Sequence, residues 1–103
     1  MRAYVIDAAN RTIAPLEWST IADLHTAIGG YLECAHFDHA TGDTLYVDED
    51  GLRKHHFGFV FGGQALAGNG VIVGRETNGH PVTNEAPKWS LGEVMAMVRF
   101  GPV

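Results

Sequence analysis

Four groups of residues in this chain have types and spacing that could do chemistry. The first is Cys34, His36, Asp38 and His39, with His55 and His56 further on. Thiolate and imidazole are zinc ligands. If residues 31–37 form a strand, Cys34 and His36 share a face about 7 Å apart, and the following loop can fold His39 back towards them. Cys34, His36 and His39 are therefore the candidate metal ligands, completed by His55 or His56. Structural zinc sites usually combine paired short spacings, and a single cysteine breaks that pattern. A small core cysteine beside surface histidines is the commoner arrangement.

The second group is Glu33 with Asp48, Glu49 and Asp50. Two carboxylates facing each other across a sheet do acid–base work when their environments split their pKa values. A run of acids is more often a solvated turn. The third group is glycine-rich, Gly62-Gly63 and Gly68-Asn69-Gly70. Glycine lets backbone N–H groups approach a phosphate. Neither segment matches a P-loop or a dinucleotide fingerprint, so ordinary turn geometry is the simpler reading. The fourth is aromatic. Phe57, Phe59 and Phe61 alternate, so on a strand all three face one side, as core or as an interface. No Ser-His-Asp or Cys-His arrangement has the spacing of nucleophilic catalysis, and the chain reads as a non-enzyme.

These groups must be held by a small number of elements. Ala3–Ile6 reads as a strand and Thr12–Leu16 as its hairpin partner, with Pro15 confining the second to an edge or a strand end. Thr20 and Asp23 stand three apart as a capping box. Ile21, Leu24 and Ile28 fall on one face of the helix Thr20–Ile28, and Gly29 supplies its left-handed stop. Tyr31–Phe37 and Thr44–Asp48 are strands joined by a loop, and Glu49-Asp50-Gly51 is a tight turn. Phe57–Phe61 reads as a strand, Gln64–Ala67 as one helical turn, and Val71–Val73 as a buried strand. Residues 76–88 read as a long loop. Ser90 and Glu93 cap a last helix over Leu91–Arg99. The expected fold is α+β, a mainly antiparallel sheet of four to six strands packed against two short helices.

A chain of 103 residues is one domain, residues 1–103, able to bury a modest core. Twelve acidic residues outnumber seven basic ones for a net charge of −5, which excludes a basic footprint for a nucleic-acid polymer. The single cysteine allows no internal disulfide and suits a reducing cytoplasm. No apolar run is long enough for a membrane span, and no signal-peptide pattern opens the chain. Low charge content, 18%, together with the aromatic residues, points to a homodimer or higher assembly.

The run from Leu24 to Gly74 resembles a family of small proteins of unknown function encoded mainly by phages, plasmids and the bacteria carrying them. The resemblance lies in Gly29-Gly30-Tyr31-Leu32-Glu33, in Asp48-Glu49-Asp50-Gly51-Leu52, and in Gly68-Asn69-Gly70-Val71-Ile72-Val73-Gly74. It departs at residues 55–65, where the family often carries an Asn-Arg-x-Ala segment. The resemblance implies an accessory protein of a mobile element that binds a nucleotide-like small molecule or a host protein and counters host defence. The binding reading assigns Tyr31, Glu33, Arg53, Gly68, Asn69 and Gly70 to the site, with no cofactor. Lys54, Arg75 and Arg99 are further candidates to meet negative charge. The alternative is a small zinc enzyme built on Cys34, His36 and His39.

Overall fold

The computed structural model describes residues 1–75 and 85–102. In chain order its elements are β1 (Arg2–Asp7), β2 (Thr12–Glu17), α1 (Ile21–Ile28), β3 (Leu32–Phe37), β4 (Thr44–Asp48) and α2 (Gly51–Lys54). They continue with β5 (Phe57–Phe61), β6 (Gln64–Ala67), β7 (Gly70–Val73), α3 (Leu91–Met97) and β8 (Val98–Pro102). The fold is α+β. A five-stranded sheet in the order β2-β1-β7-β4-β3 and a three-stranded sheet in the order β6-β5-β8 are both antiparallel throughout.

Alternation along the central strands builds two cores, one on each face of the larger sheet. On one face Ala3, Val71 and Val73 pack with Trp18 under Leu24 and Ile28 of α1. On the other, Tyr4, Ile6, Leu45, Val47 and Ile72 meet Phe59 and Phe61 of β5 and Val94 and Val98. The layers are therefore α1, the five-stranded sheet, and then the three-stranded sheet with α3. Because β1, β4 and β7 are covered on both faces, they tolerate apolar side chains at nearly every position.

Local signals account for several elements. Asp23 accepts from the Ser19 and Thr20 N–H groups at 2.8 and 3.1 Å and opens α1, and Gly29 closes it at φ 77°. Ser90 and Glu93 cap α3 reciprocally. Pro15 lies on β2, an edge strand, where a missing N–H is tolerated.

Two expectations give way to tertiary pairing and a third to a local helical turn. Gln64–Ala67 is a strand and not a helical turn, because Gly62 and Gly63 both adopt positive φ and return the chain onto β5. The last helix stops at Met97 and not at Arg99. Val98 and Phe100 instead pair with Phe61 and Phe59, and that pairing outweighs helix continuation. The acidic turn after β4 winds into the single helical turn α2. The second sheet that results was not expected. The long loop proposed for residues 76–88 lies outside the described residues over 76–84, and residues 85–90 are neither helix nor strand.

Strand β3 carries a register shift. Cys34 pairs with Tyr46 and His36 with Leu45, so Ala35 is bulged. Tyr46 and Leu45 are adjacent on β4 and face opposite ways. Cys34 and His36 therefore lie on opposite faces, contrary to the alternation expected from the sequence.

Candidate functional site

The three glycine- and acid-bearing segments converge on one carboxylate. Asp48, at the end of β4, is 3% exposed. Lys54 Nζ stands 2.7 Å and His55 Nε2 3.3 Å from its Oδ2, and the Asp50 N–H donates to Oδ1 at 2.9 Å. Lys54 Nζ also donates to the Gly29 carbonyl at 3.1 Å, which ties the end of α1 to α2. Burial pushes the Asp48 carboxyl up. The hydrogen bonds from Lys54, the Asp50 N–H and His55, with the Lys54 charge, outweigh that and hold it below the ordinary carboxylate range.

The flanking glycines make room for this hub. A Cβ on Gly30 would stand 2.5 Å from Asp48 Oδ1, and one on Gly68 2.5 Å from the His55 ring. Gly70 lies beneath the Phe59 ring, 2.8 Å from where its Cβ would be. Asn69 accepts from the Ala8 N–H at 2.9 Å and donates to the Ala27 carbonyl at 3.4 Å. Gly68, Asn69 and Gly70 are thus occupied in holding β7, β1, α1 and His55 together. Gly68 also has φ 79°, which L side chains rarely adopt. Gly68→Ala is expected to lower stability by about 2–3 kcal/mol through backbone strain and the His55 clash together. Urea denaturation measures this, and an unchanged midpoint would contradict it.

Beside the hub a cleft of about 330 Å³ opens between the two sheets. Its walls are Glu33–Ala35 of β3, the stretch Val47–Arg53 from β4 into α2, and all of β6. The apolar floor includes Val47 and Leu66, and Leu52 stands at the rim with 85% of its surface exposed. Among the lining acids, Asp48 is neutralised by Lys54, and Asp50 lies 3.9 Å from Arg53. Glu33 and Glu49 are exposed and have no cation within ion-pair distance among the described residues.

Of the six residues assigned to a ligand site from the sequence, the structure brings Glu33 and Arg53 to this cleft. Tyr31 is exposed, and its ring meets His25 edge-on at 5.4 Å. Gly68, Asn69 and Gly70 lie in the packing described above. The cleft's other wall, β6, was not foreseen, because that segment has the local pattern of a helical turn.

The metal candidates are spread apart. Cys34 is exposed on β3, His36 stacks on Trp89 at 6.3 Å on the opposite face, and His39 meets Phe37 edge-on at 4.8 Å. His55 is held by Asp48. Among the described residues no group of three or more His, Cys, Asp or Glu side chains is placed to hold a metal ion. Nor do Glu33 and Asp48 form a split acid–base pair, since Asp48 is enclosed by its own donors. Phe59 and Phe61 are core, while Phe57 is 39% exposed beside His55. No described helix is long and apolar enough to cross a membrane.

Neither the curated proteins nor the solved structures provide a match to this chain. The model of a domain of unknown function, DUF3846, matches residues 1–94, and the chain belongs to that family.

Proposed function

We propose that this protein is a non-enzymatic binding module whose cleft between β3, α2 and β6 holds a neutral or basic surface of another protein. We place it as an accessory protein of a phage or other mobile element, acting on a host protein, with host defence as the target class. The mobile-element setting follows from the resemblance alone. The cleft carries the binding part of the reading.

The observation that supports a protein partner over a nucleotide-like ligand is the charge of the rim. Glu33 and Glu49 have no cation within ion-pair distance among the described residues, and Arg53, the one basic residue lining the cleft, has Asp50 3.9 Å away. A phosphate entering here would meet the carboxylates of Glu33, Glu49 and Asp50 against the single guanidinium of Arg53. Catalysis finds little support in the same place, because the buried acid, Asp48, is saturated with donors. A zinc enzyme on Cys34 and His36 would need both on one face of β3.

Two measurements test the reading. Affinity capture from host lysate is compared between wild type and the double variant Glu33→Lys/Glu49→Lys. The expected result is a stoichiometric partner that wild type retains and the variant loses by at least tenfold, since rim charges steer and select partners. Equal capture by both would remove the cleft from the account. Thermal melting with 1 mM cyclic or linear nucleotides is expected to leave the midpoint unchanged, whereas a ligand with micromolar affinity would raise it.

A further inference from the structure

We infer that the outer edge of β6 takes an extended, basic peptide segment of the partner as an added strand. This rests on the binding reading above and specifies the form of the partner.

The phase of the β5–β6 hairpin determines which backbone groups are available. Gly62 and Gly63 form a two-residue loop with φ of 55° and 88°, and Phe61 faces Gln64 across it. In such hairpins the pair flanking the loop exchanges hydrogen bonds, and every second pair does so thereafter. Gln64 and Leu66 therefore bond inward to β5, while Ala65 and Ala67 turn their N–H and C=O outward. Two contacts agree with this phase. The Gly68 N–H continues the ladder to the Phe57 carbonyl at 2.8 Å, and the Ala67 carbonyl oxygen lies outside the sheet against Gly51. Helix α2 thus covers the Ala67 end. The N–H and C=O of Ala65 point away from β5, no other described strand pairs with β6, and Ala65 lines the cleft.

The other strand edges carry a blocking device in their own sequence or register, whereas β6 is covered only at its Ala67 end, by α2. Edge strand β2 carries Pro15, β3 its bulge, and β8 Arg99. Proline, bulges and charge are the devices that keep an edge from pairing. Strand β6 is Gln-Ala-Leu-Ala and has none of them. Strand addition supplies main-chain hydrogen bonds, and alternate side chains supply selectivity. A segment added at Ala65 would turn alternate residues towards the floor at Val47 and Leu66 and towards the rim. Glu33 and Glu49 there, on a chain of net charge −5, select lysine and arginine over acidic residues.

The test uses the hexapeptide acetyl-Lys-Val-Lys-Val-Lys-Val-amide, its glutamate counterpart, and a form of the lysine peptide N-methylated along one strand edge. The readout is amide hydrogen exchange by NMR on the full chain. The lysine peptide is expected to slow exchange at Ala65 by roughly tenfold or more, and the other two to leave it unchanged. Ala65→Pro removes the outward N–H without touching the inward ladder, and it should keep a cooperative melt while losing the peptide. If that variant fails to fold, the N-methylated peptide against wild type makes the same comparison. Failure of the lysine peptide to protect Ala65 at millimolar concentration overturns the inference, as does equal binding of the N-methylated form. Protection that grows with protein concentration in the absence of peptide assigns the edge to a second copy and also overturns it. The binding reading is tested separately, and it falls if Glu33→Lys/Glu49→Lys retains the captured partner.

Discussion

Replacing Phe59 with alanine is expected to cost about 3–5 kcal/mol, more than the loss of any one glycine or carboxylate of the hub. The ring is 1% exposed, lies against Gly70 and shares a core cluster with Leu45 and Ile72, so it joins the three-stranded sheet to the centre of the larger one. Domains of this size are stable by only about 5–15 kcal/mol. The melting temperature should therefore fall by roughly 15 °C or more. Phe59→Leu keeps most of the apolar volume and should lose about half as much. Chemical denaturation of the three proteins checks the ordering. Equal midpoints for wild type and Phe59→Ala would mean that the two sheets do not depend on this contact. The cleft lies between those sheets, so the same variant should also loosen β6, visible as faster amide exchange at Leu66.

Asp48→Ala is expected to cost about 2–3 kcal/mol. It leaves Lys54, His55 and the Asp50 N–H without their common acceptor. The cost stays below that of a fully enclosed pair because Lys54 is 42% exposed and can turn to water. The pH dependence follows from the direction of the shift. Asp48 has its folded pKa below its unfolded one, so its stabilisation is complete above the unfolded value, about 3.9, and is lost as pH falls through the folded value. Wild-type stability should drop as the solution is acidified from about pH 5 towards pH 2, and Asp48→Asn should flatten that slope. Some slope should remain. Asp38, held down chiefly by the Thr41 hydroxyl, and Asp23, held down by the Ser19 and Thr20 N–H groups, act in the same direction. Parallel curves for wild type and Asp48→Asn would contradict the hub.

What could be read from the chain divides by range. The starts of α1 and α3 were legible because capping needs only residues three or four apart, as at Thr20 and Asp23 or Ser90 and Glu93. The β1–β2 hairpin and the buried β7 were legible from alternation and apolar runs. The bulge at Ala35 was not, since nothing between Leu32 and Phe37 announces which residue β4 will skip. That one slip separates Cys34 from His36 and dissolves the grouping that their spacing suggested. Strand β6 is not legible locally because Ala-Leu-Ala favours a helix, and only the two positive-φ glycines before it and the waiting β5 edge make it a strand.

The candidate site was legible in part for the same reason. Glu33 and Arg53 line the cleft, whereas Gly68, Asn69 and Gly70 lie outside its lining, packed against His55, α1 and Phe59. A glycine motif reads alike whether the close neighbour is a ligand or the protein's own side chain. Asp48 looked like one acid among three in a solvated turn, and its burial depends on Lys54 and His55 folding back over it.

The most direct test of the account is where the partner touches. A photo-reactive benzophenone side chain is placed at position 52, on the rim of the cleft, and in a second protein at position 26, on the exposed side of α1. The partner that wild type captures should cross-link from position 52 and not from position 26. Cross-linking from position 26 alone would put the binding surface on the far side of the larger sheet and contradict the account.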